Sequence, residues 1–180
     1  SYGVDLPNNL FYPSAEEEED SEDDETFMTA FLAAMPDLEV DKSWYPIKTP
    51  YVDGQFTIRV SLHKKLYRDL LLHATMTLED LHLAIQKVYE FDNDHLYAFY
   101  VNENQAFGST LGYDKLPAAA IQLGELGLHE GKQFTYLFDF GDYWRFLITI
   151  LKINIEGKAL KKIKLIESVG NAPPQYPNYE

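Results

Sequence analysis

The residues of this chain best equipped for chemistry are two histidines and two aspartates: His82, His95, Asp139 and Asp142. A pair of imidazoles with a carboxylate is the smallest set that holds a divalent cation, and a cation so held activates water for hydrolysis. Arg68 joins them as the cation best placed to face Asp139 or Asp142. Spacing argues against a metal. No His-x-x-x-His pattern occurs. His82 falls beside the apolar stripe of a helix, where its ring can pack and donate to a backbone carbonyl, and His95 opens a strand after an acidic stretch, as a cap or turn partner. For Arg68 the plainer role is a partly buried salt bridge to Asp139 or Asp142 that holds a hairpin to the sheet. Zero cysteines remove disulfides, thiolate zinc sites and a Cys nucleophile. No cofactor is expected.

The two aspartates sit in the stretch FTYLFDFGDYWRFLITI, residues 134–150. Phe134, Tyr136, Phe138 and Phe140 recur at every second position, and Trp144, Phe146, Ile148 and Ile150 repeat the pattern, so two strands meet at a turn over 139–143. In that turn Gly141 is expected to supply a positive φ while the Asp side chains satisfy turn amides. Trp144 is expected to be largely buried against the helix stripe with Phe138 or Phe140. The letters Asp139-Phe140-Gly141 also occur in protein kinases, where the Asp holds magnesium. A kinase needs a glycine-rich loop, a strand lysine and a catalytic-loop Asp and Asn over a much longer chain, and none precedes Asp139.

Around this hairpin the periodicity predicts a strand from Gln55 with Phe56, Ile58, Val60 and Leu62 on one face, a turn at 63–65 and a returning strand over 66–73. A helix follows: Thr77 caps it, Asp80 closes a variant capping box, Met76 staples to Leu81, and Leu78, Leu81, Ile85, Val88 and Tyr89 form its buried stripe. Residues 92–94 break it. A strand over 95–101, a loop-like stretch over 102–116, a helical turn within 121–128 and an edge strand over 158–167 complete the reading. The order implies an α+β domain, one principal helix packed on a mostly antiparallel sheet built from hairpins. No internal repeat is present.

Charge divides the chain into two parts. The whole carries −14, but residues 1–43 hold thirteen carboxylates against Lys42 alone, nine of them within 16–25, whereas 44–180 is nearly balanced. Like charges repel and bury no apolar surface, so 1–43 reads as a solvated acidic arm attached to a single domain, 44–180. Within the arm, Phe27, Phe31 and Met35 lie at fourfold spacing ahead of Pro36, a short amphipathic helix over 26–35. So short a helix needs a surface, its own domain or another chain, and those three residues would make the contact. Lys158, Lys161, Lys162 and Lys164 form a basic cluster that reads as protection of an edge strand against pairing. Nucleic acid is not the expected partner, because phosphate binding requires positive charge and this chain is acidic. No stretch approaches the roughly 18 apolar residues of a membrane span, and no basic flank precedes an apolar signal core. A cytoplasmic location is therefore expected. The chain starts at Ser1 rather than Met, as a fragment of a longer protein would.

The ordered motifs resemble the plasmid-borne Ri-plasmid ORF-three-like domain family over most of residues 54–177. They are Leu66-Tyr67-Arg68; Thr77-Leu78-Glu79-Asp80-Leu81-His82 with Ala84-Ile85-Gln86; Asp94-His95-Leu96 with Phe99; Phe134-x-Tyr136-x-Phe138-Asp139-Phe140-Gly141-Asp142-x-Trp144; and Gly170-Asn171-Ala172-Pro173-Pro174-Gln175. The resemblance implies an α+β fold and carries no established activity. Phe146 stands where the family commonly has His, Tyr67 replaces a usual Trp, Asp69 a second Arg, and Glu90-Phe91 a common Gly-Trp. The resulting expectation is a non-enzymatic protein-interaction module, weighed against a metal-assisted hydrolase using His82, His95, Asp139 and Asp142.

Overall fold

The computed structural model describes residues 49–102, 105–108 and 115–176. These form an α+β domain with one eight-stranded sheet and one α-helix. In chain order the elements are β1 (Gln55–His63), β2 (Leu66–His73), α1 (Leu78–Tyr89), β3 (Tyr97–Asn102), β4 (Gln105–Gly108), β5 (Lys115–Pro117), β6 (Gln133–Phe138), β7 (Trp144–Asn154) and β8 (Lys164–Val169). Their order across the sheet is β5-β4-β3-β6-β7-β1-β2-β8. All pairings are antiparallel except that of β4 with β5. Among the described residues no helix is long and apolar enough to cross a membrane.

Alternation decides which face each strand buries. Phe56, Ile58 and Val60 of β1 lie opposite Ile153, Ile150 and Ile148 of β7. Between Ile150 and Ile153 the register shifts, and that irregularity keeps Ile153 on the core side while Leu151 stays 38% exposed. Phe134, Tyr136 and Phe138 of β6 and Phe146 of β7 continue the same face. The helix closes it with Leu78, Leu81, Ile85 and Tyr89, all buried. Its capping box is formed as expected: Asp80 N donates to Thr77 Oγ1 at 3.1 Å, and Thr77 N donates to Asp80 Oδ2 at 2.9 Å. At the other end Glu90 takes the left-handed conformation (φ 57°), where its own N–H and that of Phe91 reach back to helix carbonyls. A glycine would fit there without strain, which gives a conformational reason for the Gly-Trp common in the resembling family.

Several expectations shift. The stretch 102–116 contains β4 and β5 rather than loop alone; its short polar runs conceal them, and the buried Phe107 is the side chain that β4 places in the core. The edge strand begins at Lys164 rather than at 158, so of the four clustered lysines only Lys164 belongs to it. Residues 123–125 form the helical turn expected within 121–128. Gly141 does not carry the positive φ of the hairpin turn; Asp139 (57°) and Tyr143 (63°) do. Asp and a turn-closing residue supply the curvature directly, which leaves Gly141 free of that task. Trp144 is half-buried rather than largely buried, and its ring meets Phe91 edge-on at 4.9 Å between centroids. The reason is the helix exit, which brings Phe91 over the start of β7.

These positions separate two neighbouring aromatics in energy. Phe146 is fully buried and meets Tyr89 edge-on at 4.8 Å. Phe146→Ala is expected to cost about 3–5 kcal/mol in urea unfolding, and Trp144→Ala clearly less, because truncation there opens onto solvent. Equal losses would contradict the packing described.

Candidate functional site

His82 and Gln86 lie one turn apart on the buried face of α1, and both reach the hydroxyl of Tyr136 on β6. His82 Nδ1 is 2.7 Å from Tyr136 Oη, and Gln86 Nε2 donates to the same oxygen at 2.8 Å. His82 Nε2 is 2.6 Å from Asn93 Oδ1. One proton order satisfies these contacts. Gln86 donates to Tyr136, the Tyr136 hydroxyl donates to Nδ1, and Nε2–H donates to Asn93. His82 is thus a neutral imidazole, stacked on Tyr97 with centroids 3.6 Å apart. Burial pushes it down from 6.5 to about 4, against the opposing hydrogen bond to Asn93. Burial also raises the Tyr136 phenol well above its ordinary value. Among the described residues, Gln86 Oε1 and Trp144 Nε1 are buried polar atoms without a hydrogen-bond partner.

A second cluster gathers at the hairpin turn. Asp139 Oδ1 accepts from Gly141 N at 2.8 Å and Asp142 N at 3.3 Å, while Asp139 Oδ2 faces His95 Nε2 at 3.4 Å. Asp94 Oδ1 is 3.6 Å from the same nitrogen. The C-terminal segment fastens this cluster. Gln175 bonds both the N–H and the carbonyl of Asp92 and reaches Asp94, and the Tyr176 hydroxyl donates to Asp94. That hydrogen bond pushes the Tyr176 phenol up to about 12.

Of the four residues considered as metal ligands, only His95 and Asp139 face each other. Both nitrogens of His82 are occupied by Tyr136 and Asn93, rather than by the backbone carbonyl expected. The Asp142 backbone N–H serves the turn while the residue itself is exposed. Among the described residues no group of three or more His, Asp or Glu side chains is arranged to hold a metal ion. Arg68 does not pair with Asp139 or Asp142. Its Nε donates to Val88 O at 3.2 Å and its Nη1 to Tyr67 O and Val169 O at 2.9 Å, and its guanidinium lies 4.9 Å from the Tyr89 ring centroid. β2 alternation points it to the helix, away from the hairpin turn. Phe27, Phe31 and Met35 lie outside the described residues.

Three features escape the sequence patterns. Tyr136 falls within an apolar alternation, although an inward Tyr beside a helix bearing His82 and Gln86 at i and i+4 signals a buried polar chain. Asp69 is buried in a two-pronged pair with Arg59, 2.8 Å at each contact, directly across the β1–β2 ladder. The third is a groove beside α1, in two adjoining concavities of about 710 and 400 Å³ that share Ala84, Lys87, Lys162 and Ile163. Arg68 lines the larger one.

Residues 55–176 match the family model described as plasmid pRiA4b ORF-3-like protein. The chain belongs to this family. Its fold is also similar to that of a protein of unknown function from Methanosarcina mazei Go1, with a TM-score of 0.60 and 23% identity over 68% of this chain and 73% of that one. No curated protein matches the chain. As in the reading from sequence, membership brings a fold and no reaction.

Two measurements check the site. Because the folded pKa of His82 lies below its unfolded value, its contribution to stability is complete above pH 6.5 and is lost as pH falls toward about 4. The difference amounts to up to about 3 kcal/mol. Urea unfolding of His82→Gln is expected to fall less steeply over that window than that of the parent, and the His82 ring signals in NMR to remain those of a neutral Nε2–H imidazole at pH 5. A midpoint near 6.5 would sink the assignment. At the turn, Asp139→Ala should cost about 1–3 kcal/mol, since it strips two amides of their acceptor and leaves Ala at positive φ. Asp139→Asn and Asp142→Asn should each be mild in thermal melts.

Proposed function

We propose that this chain is a non-enzymatic protein-binding module of the cytoplasm, with domain 44–180 as the recognition body and the acidic arm 1–43 contributing a second contact through Phe27, Phe31 and Met35. The observation that supports it is the groove along α1, an elongated concavity with an aliphatic floor whose lining includes none of His82, His95, Asp139 and Asp142. A groove between a helix and a strand edge is a surface on which extended segments dock. Neither a membrane nor nucleic acid enters this reading.

The experiment is a pair of deletions. Removal of residues 1–24 relieves self-repulsion, so the melting temperature should hold or rise slightly at low salt, the difference shrinking as salt is added. Removal of 1–35 should leave stability unchanged while a complex seen by light scattering in native extract disappears. A destabilisation of a few kcal/mol without loss of a complex would show that the 26–35 helix serves folding. A divalent-ion thermal shift that Asp142→Asn abolishes would instead favour the metal-assisted hydrolase.

A further inference from the structure

The groove is basic in an acidic chain. Lys87 projects from α1, and Lys161 and Lys162, from the stretch that leads into β8, face it together with Lys164, the first residue of that strand; the acidic lining residues are Asp80 and Glu90, near opposite ends of the helix. Five cationic side chains, Arg68 included, therefore stand against two acidic ones, whereas the whole chain carries −14. Between Asp80 and Glu90 the helix runs about 15 Å, the length of about five extended residues. The floor is aliphatic, with Leu70, Ala84, Val88, Leu160 and Ile163.

Arg68 adds an independent observation. It is 5% exposed, and Nε and Nη1 give three hydrogen bonds to carbonyl oxygens. Of the five N–H donors of a guanidinium, the two on Nη2 have no acceptor among the described residues, and Nη2 is not among the fully enclosed unsatisfied atoms. Nor does any carboxylate pair with it among the described residues. A buried guanidinium held by carbonyl dipoles, with a free donor pair and a concavity against it, is a seat for a carboxylate.

We infer that the groove seats an extended acidic segment of a partner protein, its aliphatic side chains on the floor, its carboxylates along the lysines and one carboxylate on Arg68. This rests on the protein-binding reading above and names the chemistry of the partner. Charge complementarity selects the occupant: exposed lysines steer and orient an acidic chain, and the desolvated Arg68 discriminates carboxylate from amide. A nucleic acid fits less well, because the groove lining has no aromatic ring on which a base stacks.

The test uses the full chain and two fluorescein-labelled peptides of about eight residues, one of Glu, Asp and Leu, the other with Gln and Asn replacing the acids. Anisotropy is expected to show saturable binding of the acidic peptide about tenfold or more tighter than its amide counterpart. Amide shifts should be confined to the second half of α1 and residues 160–172. The exposed triple variant Lys87→Glu, Lys162→Glu, Lys164→Glu, checked for an unchanged melt, should lose about tenfold or more. Arg68→Lys should weaken binding while retaining the fold; if it unfolds, the lysine variant still decides. Equal binding of both peptides, no effect of charge reversal, or full displacement by a single-stranded oligonucleotide or by inorganic phosphate alone overturns the inference. If neither peptide binds while the complex of the deletion experiment forms, the acidic-segment inference falls and the protein-binding reading stands; absence of both overturns both.

Discussion

Among the polar contacts that join helix and sheet, the one at the Tyr136 phenol takes two side chains of α1 at once. Tyr136 Oη is buried on β6, one of the two central strands of the sheet, takes a hydrogen bond from Gln86 and lies 2.7 Å from His82. An unpaired hydroxyl there would cost about 1–3 kcal/mol, so helix and strand are matched in register as well as in apolar area. A sliding helix would break contacts that a purely aliphatic interface would re-form elsewhere. The same contact fixes the state of His82, a neutral imidazole kept so by burial, with one nitrogen facing Tyr136 and the other Asn93. The match is incomplete on one side, where Gln86 Oε1 stays unsatisfied while its amide group serves Tyr136.

The elements with strong local signals were legible in the sequence. Period-two alternation located β1, β2, β6 and β7, and the Thr77–Asp80 box placed the start of α1. Pairing partners were less legible. β4 and β5 span four and three residues, too short for alternation to register, and exist because β3 offers an edge to β4 and β4 in turn offers one to β5. Turn chemistry was half legible: Asp139 acts on amides as its type suggests, but positive φ fell on Asp139 and Tyr143, which glycine-counting overlooks. At the site, the approach of His95 and Asp139 was within reach of the motif order, whereas the direction of Arg68 depended on which face of β2 looks at α1.

Charge is arranged in compartments. Asp69 and Arg59 neutralise each other on the sheet face opposite the helix, with Arg59 also stacked over Tyr67 at 3.7 Å. Of the acids near His95, Asp94 is tied down by Gln175 and Tyr176, and Asp139 by the turn amides of Gly141 and Asp142. What remains uncompensated on the described surface beside α1 is positive, and it lies in a concavity. That distribution, more than the overall negative charge, is what a neighbouring molecule meets at short range, since fields beyond about 8–10 Å are screened at ordinary salt.

The strand order also governs how the chain can assemble during synthesis. β1 has β2 on one side and β7 on the other, yet 70 residues separate the end of β2 from the start of β7. At ordinary translation rates the ribosome needs roughly 4–14 s to make that interval. Throughout it the edge of β1 that β7 will take stays unpaired, and Phe56, Ile58 and Val60 lack the β7 residues they lie opposite in the finished sheet. The sheet is completed by closure across its centre, a long-range event that places this domain among slow folders and makes the nascent amino-terminal half its most aggregation-exposed form.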